Sequence, residues 1–180
     1  AVRFDVKVSD DPQPRGLAAI RRLIEKSALA APVKEASLAI FERLAAAEAA
    51  AHGETVELVH FHEVGMVDSI IDIVGAAVLM DRLSPARVVC SPVALGSGTV
   101  ETMHGLMPVP APATVNLLAG AVVCEGEGGQ ELTTPTGAAL VAHFADGFGT
   151  LPEMVLEKAG YGAGTRETQR PNLLRMLLGK

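Results

Sequence analysis

The feature that most constrains the fold is a change in the spacing of polar residues within one short stretch of the chain. His60 and His62 are two positions apart, so on an extended strand both side chains leave the same face. Asp68 and Asp72 are four positions apart, so on a helix one lies above the other. Gly65 stands between the two patterns, where the chain must turn. This stretch therefore predicts a strand, a turn and a helix, with imidazoles and carboxylates meeting at the junction.

Divalent transition ions accept imidazole nitrogen and carboxylate oxygen, so the junction is a candidate metal site. Its candidate ligands are His60, His62, Asp68 and Asp72. The carboxylates also have a structural interpretation, with Asp68 as the N-cap of the helix and Asp72 as a first-turn acid favoured by the helix dipole. The histidines could equally be polar residues on a strand face. Glu63 alternates away from that face, which makes it a candidate supporting or acid–base group.

The composition suits a folded domain and argues against two classes of partner. With 180 residues and 49% hydrophobic residues, the chain can bury a sizeable core as a single domain, residues 1–180. The net charge of −6 and the scattered Lys and Arg residues argue against nucleic-acid binding. The longest apolar run, residues 73–80, is too short to cross a membrane. We therefore expect neither nucleic acid nor a membrane as a partner.

The cysteines and the first residues bear on the cellular setting. Cys90 and Cys124 are isolated, which is typical of reduced thiols in a cytoplasmic protein. Residues 2–8 alternate apolar and polar side chains instead of forming the apolar block of a signal peptide. Because the chain starts at Ala1 directly in this strand-like pattern, we expect a fragment or the product of a split gene.

Helical and strand-like patterns alternate along the chain. The expected helices cover residues 16–28, 32–51, 68–83, 113–118 and 134–145. The expected strands cover residues 2–8, 58–62, 87–95 (broken at Pro92), 121–125, 153–158 and 173–178. Residues 96–112, rich in glycine and proline, are expected to be irregular and weakly packed. This order predicts an α/β or α+β layered domain, in which about five helices pack a mixed sheet.

Further candidate site residues lie outside the junction. His104, in the irregular segment, could complete a metal or substrate site or hydrogen-bond its own loop. Hydroxyl and N–H groups at a helix start can hold a phosphate, and the candidates for this role are Thr133, Thr134 and Thr136. An ordinary Thr134 N-cap followed by Pro135 explains the same pattern.

Three other polar residues carry weaker signals. Arg166 follows the glycine-rich residues 160–164 and could meet an anionic ligand or stay solvated. His52 stands at the end of an expected helix, where its charge would suit the helix dipole. His143 lies within an apolar helix, and we interpret both histidines as structural.

Longer motifs extend over most of the chain. They cover residues 59–65, 68–75, 95–98, 104–114, 131–138, 160–164 and 171–175. Together, and in this order, they resemble the LarC-type nickel insertion proteins. The resemblance implies maturation of the nickel-pincer cofactor of lactate racemase, by insertion of nickel into a pyridinium bis-thiocarboxylic acid mononucleotide. It also implies dependence on CTP and on a divalent ion such as Mg²⁺ or Mn²⁺.

The resemblance gives the candidate residues specific roles. His60 and His62 would bind nickel with Asp68 or Asp72, while Glu63 and His104 would act as supporting or catalytic groups. The mononucleotide phosphate would be held by Thr133, Thr134, Thr136 and Arg166. The family's opening segment and its CTP-binding C-terminal half have no counterpart in these 180 residues. We therefore expect an incomplete lyase that works with that half, in a homo-oligomer.

Two other functions stay open from the residues alone. The chain could be a non-catalytic module that docks the CTP-binding half. It could also be a metal-dependent hydrolase, in which the same ligands activate a bound water.

Overall fold

The computed structural model describes residues 1–7, 15–59, 61, 66–164 and 171–180. These residues form five helices and eight short strands, so the expected mixed α/β class is confirmed. They separate into two compact units, Asp10–Thr150 and the segments Ala1–Ser9 with Leu151–Lys180.

The helices lie close to their expected positions, all within Asp10–Thr150. They are α1 (Leu17–Lys26), α2 (Ala31–His52), α3 (Val67–Leu83), α4 (Pro112–Leu117) and α5 (Pro135–Phe144). Three of them, α2, α4 and α5, carry a proline at their first or second position, where the fixed φ favours the helix and the missing N–H costs nothing. None of the helices described is long and apolar enough to cross a bilayer.

Helix α2 is the centre of this unit, because α1, α3, α4 and α5 all pack against it. Its residues Ile40, Phe41 and Leu44 are completely buried. Alanines between them favour the helix and let neighbouring backbones approach closely. The helix ends where Gly53 takes a positive φ of 69° and donates its N–H to the carbonyl of Ala49.

The strands are short and pair two by two. In chain order they are β1 (Val89–Cys90), β2 (Val93–Ala94), β3 (Thr99–Thr102), β4 (Gly105–Pro108), β5 (Val123–Cys124), β6 (Gly147–Phe148), β7 (Leu156–Ala163) and β8 (Leu173–Gly179). The pairs β1–β6 and β2–β5 are parallel, whereas β3–β4 and β7–β8 are antiparallel. Both orientations occur as expected, but the described strands form four pairs instead of one continuous sheet.

The stretch 96–112 is more regular than its composition predicts. Strands β3 and β4 form an antiparallel hairpin within it, with Thr102 opposite Gly105. Gly105 has a φ of 89°, which lets the chain reverse at this point. The expectation of an irregular segment was wrong here, because its glycines form turns around a hairpin.

The second unit is a small sheet built on β7 and β8. Val2 donates its N–H to Tyr161 O at 2.8 Å and accepts from Ala163 N at 2.9 Å, so it forms a parallel bridge beside β7. The sequence predicts a strand over residues 2–8. Among the described residues 1–7, the structure shows only this bridge at Val2. Gly160 and Gly162 lie inside β7, so the expected glycine-rich loop is a strand at these positions.

Candidate functional site

Four of the predicted site residues lie outside the described residues. They are His60, His62, Glu63 and Arg166, and their roles stay predictions. The other six, Asp68, Asp72, His104, Thr133, Thr134 and Thr136, are described.

The residues just before and within the histidine motif are tied to the core. Val59 and Phe61 are buried, and the Phe61 ring packs against that of Phe41. Leu58 is exposed and donates its N–H to Thr55 O at 3.0 Å, which closes a turn. The expected strand over 58–62 is therefore wrong at Leu58, because a local turn uses that N–H.

The two aspartates lie one turn apart at the start of α3, as their spacing predicts. The N-cap position is Met66, and Asp68 stands in the first turn, with its Oδ1 accepting from Ser69 N at 2.8 Å. Asp68 is therefore not the N-cap but a first-turn acid, which suits the helix dipole, and the prediction of Asp72 as a first-turn acid was wrong because it lies one turn further along. Partial burial raises the pKa of Asp72, and the charge of Asp68 raises it further. A cation bound beside both carboxylates would relieve this repulsion.

His104 occupies the two-residue loop of the β3–β4 hairpin. Its backbone N–H donates to Thr102 Oγ1 at 3.1 Å, and the same hydroxyl donates to Gly105 O at 3.0 Å. Thr102 therefore holds the backbone of the loop, while the imidazole of His104 lies at an exposed tip. The Thr102 hydroxyl therefore satisfies two backbone polar groups of the turn.

The tip of this hairpin meets the end of α2. The imidazole rings of His104 and His52 have centroids 4.8 Å apart and planes inclined by 56°. Glu48, one helical turn before His52, places its Oε2 3.7 Å from His52 Nε2. The sequence analysis interpreted His52 as structural and did not pair it with His104. The four-residue spacing of Glu48 and His52 was the available signal, but the hairpin contact depends on the tertiary fold.

The threonine-rich segment forms an ordinary helix start. Thr134 is the N-cap of α5, and its Oγ1 accepts from Gly137 N at 3.3 Å. Thr133 Oγ1 donates to Ala94 O at 2.7 Å, so its hydroxyl hydrogen is already used. A hydroxyl that accepts one hydrogen bond can still donate its own hydrogen, so Thr134 is better suited than Thr133 to donate to a phosphate. Thr136 lies in the first turn of α5.

A groove of about 460 Å³ lies between α2 and α4. It is lined by Arg43, Ala46, Ala47, Ala50, Val115, Asn116, Leu117 and Ala119. The Asn116 amide donates to Ala47 O at 3.1 Å and so ties the two helices together. Arg43 is the positively charged residue of this lining. The sequence patterns did not indicate it as a candidate site residue. Burial lowers the pKa of His143, and the charge of Arg43 lowers it further.

The described ranges hold no group of three or more His, Cys, Asp or Glu residues arranged around a common point for a metal ion. The described residues contain two smaller groups. One is the pair Asp68 and Asp72 in α3. The other is the imidazole pair His52 and His104, with Glu48 beside His52. Both are chemically suited to a divalent ion.

Comparison with known proteins decides the family. The sequence model described as "Nickel insertion protein" matches residues 1–180. The chain belongs to the nickel insertion protein family. The resemblance seen in the motifs is thereby confirmed. No solved structure matches the chain.

Curated relatives in this family are about half identical to the chain. A "Putative nickel insertion protein" of Syntrophobacter fumaroxidans is 53% identical over 180 residues, which are 99% of this chain and 46% of the relative. One of the same name from Geotalea daltonii is 51% identical over 181 residues, with 100% and 46% covered. The "Pyridinium-3,5-bisthiocarboxylic acid mononucleotide nickel insertion protein" of Desulfitobacterium hafniense is 49% identical over 166 residues, with 92% and 41% covered. The chain thus spans less than half the length of these relatives.

Proposed function

We propose that this chain handles nickel for insertion into pyridinium-3,5-bisthiocarboxylic acid mononucleotide, the step that forms the nickel-pincer cofactor of lactate racemase. The observation that carries the proposal is the family match over residues 1–180. The relative from Desulfitobacterium hafniense, which is named for this substrate, supports the choice of acceptor.

A nickel ion that is bound only until its transfer needs exchangeable nitrogen and oxygen ligands. From these it can pass to the softer thiocarboxylate sulfurs of the substrate. We assign His60 and His62 as nickel ligands, together with Asp68 or Asp72. Burial raises the pKa of Asp72 and the charge of Asp68 raises it further, and a cation bound beside both carboxylates would stabilise their charged forms. Bonding nickel to a ring carbon releases that carbon's proton, and we assign Glu63 as the base with His104 in support.

The phosphate of the mononucleotide is assigned to the start of α5 and to Arg166. Of the three threonines, Thr134 is the best placed to donate a hydrogen bond to the phosphate. Its hydroxyl oxygen accepts from Gly137 N–H, and the hydroxyl hydrogen can still be donated. Thr133 holds Ala94 O and would contribute by fixing the position of the helix start. Thr136 lies in the same first turn and completes this set.

The whole reaction extends beyond these residues in our proposal. CTP and Mg²⁺ or Mn²⁺ would bind mainly to the C-terminal half of the family's proteins, with which this chain would act as a cytoplasmic lyase. A homo-oligomer is part of the same proposal.

The test combines the chain with the C-terminal half of a curated relative, the substrate mononucleotide, Ni²⁺, CTP and Mg²⁺. We expect the nickel-containing mononucleotide to appear by mass spectrometry and to activate apo lactate racemase. His60→Ala with His62→Ala should abolish product, while His143→Gln, which removes a histidine elsewhere, should leave it unchanged.

Other outcomes separate the alternative functions. A docking module would bind the C-terminal half equally well with and without the two histidines, and would bind no nickel. A hydrolase would turn over a substrate with metal alone, without CTP or the second half. Failure of both halves together to form product would overturn the proposal.

A further inference from the structure

The end of α2 and the tip of the β3–β4 hairpin bring together two histidines that are far apart in the sequence. His52 is the last residue of α2, and His104 lies in the hairpin loop. Their ring centroids are 4.8 Å apart, with planes inclined by 56°. Both side chains belong to the unit Asp10–Thr150, so the contact is internal to one compact part of the chain.

The separation of the rings suits two ligands of one metal ion. With metal–nitrogen bonds of about 2.1 Å, each ring centroid lies about 3.25 Å from the ion, so two imidazoles at an angle of about 90–110° have centroids about 4.6–5.3 Å apart. The observed 4.8 Å falls within this interval.

The charge beside the rings favours a cation. Glu48 places Oε2 3.7 Å from His52 Nε2, and its side chain is only 20% exposed. At this distance the two groups do not form a direct hydrogen bond. The carboxylate of Glu48 beside His52 adds an oxygen group of the type that divalent transition ions accept, directly or through a bound water.

The backbone on both sides holds the pair in place. Thr102 Oγ1 accepts from His104 N–H and donates to Gly105 O, which fixes the loop that carries one imidazole. Gly53 ends α2 immediately after the other, with its N–H on Ala49 O. Ligands held by the ends of regular elements lose less conformational freedom when they bind an ion.

We propose that His52 and His104 form a two-imidazole site for Ni²⁺, with Glu48 beside it. The site rests on the proposed function and deepens it, because it adds a nickel-binding position outside the His60–His62 motif. The described residues supply two imidazole nitrogens to this site, and further coordination positions can be taken by exchangeable groups such as water and the substrate's sulfurs. This suits loading and release better than permanent storage. His104 is then a nickel ligand, and the acid–base role rests with Glu63.

The test measures Ni²⁺ binding by titration calorimetry on the chain and on His52→Gln, His104→Gln and the double variant. Even the loss of groups that only orient a ligand costs metal sites about 10–100-fold, so each single change should weaken binding at this site at least ~10-fold. Because two ligands of one ion act as a unit, the double variant should be little worse than either single variant. The matched control is His143→Gln, which should bind nickel like the wild type.

A second measurement reads the two rings directly. Ni²⁺ should slow the modification of His52 and His104 by diethylpyrocarbonate, as followed by peptide mass spectrometry, and should leave His143 unaffected. Thermal unfolding of each variant in the absence of metal checks that the fold is retained.

Nickel binding that is unchanged in both single variants, with unprotected rings, would overturn the two-imidazole site and leave the proposed function standing. A wild-type chain that binds no nickel would also overturn the site. That result would also overturn the assignment of His60 and His62 as nickel ligands, whereas unchanged binding in the His52 and His104 variants overturns only the two-imidazole site, so the two failures are distinguishable.

Discussion

The ring of Phe61 packs against the ring of Phe41 in a tilted arrangement, with centroids 6.3 Å apart and planes inclined by 56°. This contact ties the centre of the His-Phe-His motif to the central helix α2. Phe61 is 2% exposed, so the residue between the two histidines is an anchor and not part of an open surface.

The Phe61 anchor predicts a large loss of stability on truncation. Replacing a buried phenylalanine by alanine typically costs about 3–5 kcal/mol, because apolar contacts are lost and a cavity remains. We expect Phe61→Ala to lower the free energy of unfolding by this amount in chemical denaturation. Phe4, which is 70% exposed, is the matched control, and Phe4→Ala should change stability by less than about 0.5 kcal/mol. Equal effects of the two changes would contradict the assignment of Phe61 to the core.

Two glycines predict opposite effects of the same substitution. Gly96 has a φ of 88°, and a Cβ there would collide with Gln130 O and lie 2.8 Å from Leu132 N. Gly96→Ala should therefore destabilise the protein by at least about 2 kcal/mol, from backbone strain and overpacking. Gly75 lies in α3, and no atom of the described residues is within 4 Å of an added Cβ. Gly75→Ala should stabilise the protein by about 0.5–1 kcal/mol in the same thermal or denaturant unfolding measurement.

Asp72 predicts a pH-dependent gain of stability on neutralisation. Burial and then the charge of Asp68 raise its folded-state pKa above the ordinary value of 3.8, so the folded protein binds this proton more tightly than the unfolded chain. The stability linked to this proton is full below that value and is lost as the pH rises through the folded pKa. Asp72→Asn should therefore stabilise the protein by about 0.2–0.5 kcal/mol at pH 7 and should have little effect at pH 3.

The control for this prediction is a double-mutant cycle with Asp68→Asn. If the two carboxylates repel each other, the second substitution should gain less than the first. Saturating Ni²⁺ should reverse the sign of the Asp72→Asn effect if the carboxylate is a ligand. Stability curves that are parallel at all pH values would contradict the coupling of the two aspartates.

The Thr134 cap predicts a moderate loss of stability and a change in phosphate binding. Thr134→Ala removes the acceptor of Gly137 N–H and should cost about 1 kcal/mol, whereas Thr134→Ser should be close to the wild type. Binding of the substrate mononucleotide should weaken in the alanine variant and be retained in the serine variant. Thr136→Ala, at a position where no cap bond is lost, is the control for stability. Unchanged mononucleotide binding in Thr134→Ala would remove Thr134 from the phosphate site.

Patterns of short range were predictable from the sequence because they depend on neighbouring residues. Prolines 32, 112 and 135 mark the starts of three helices, and Gly53 marks the end of α2, since each residue sets its own backbone angles. The antiparallel hairpin over 99–108 was missed, because its glycines and prolines resemble those of an irregular loop. The predicted N-cap, Asp68, lies two residues after the observed N-cap, Met66, and an error of this size is typical of helix boundaries.

The sequence by itself determined which imidazole and carboxylate groups are present and to which family the chain belongs. Histidines and aspartates in fixed motifs are readable one residue at a time, and the order of the motifs is unchanged by folding. Only the tertiary structure decided that His52 lies against His104, because the end of a helix and the tip of a hairpin meet through packing between distant segments. Contacts of this kind depend on how α2 and its neighbours bury their apolar faces, and no local spacing in the chain encodes them.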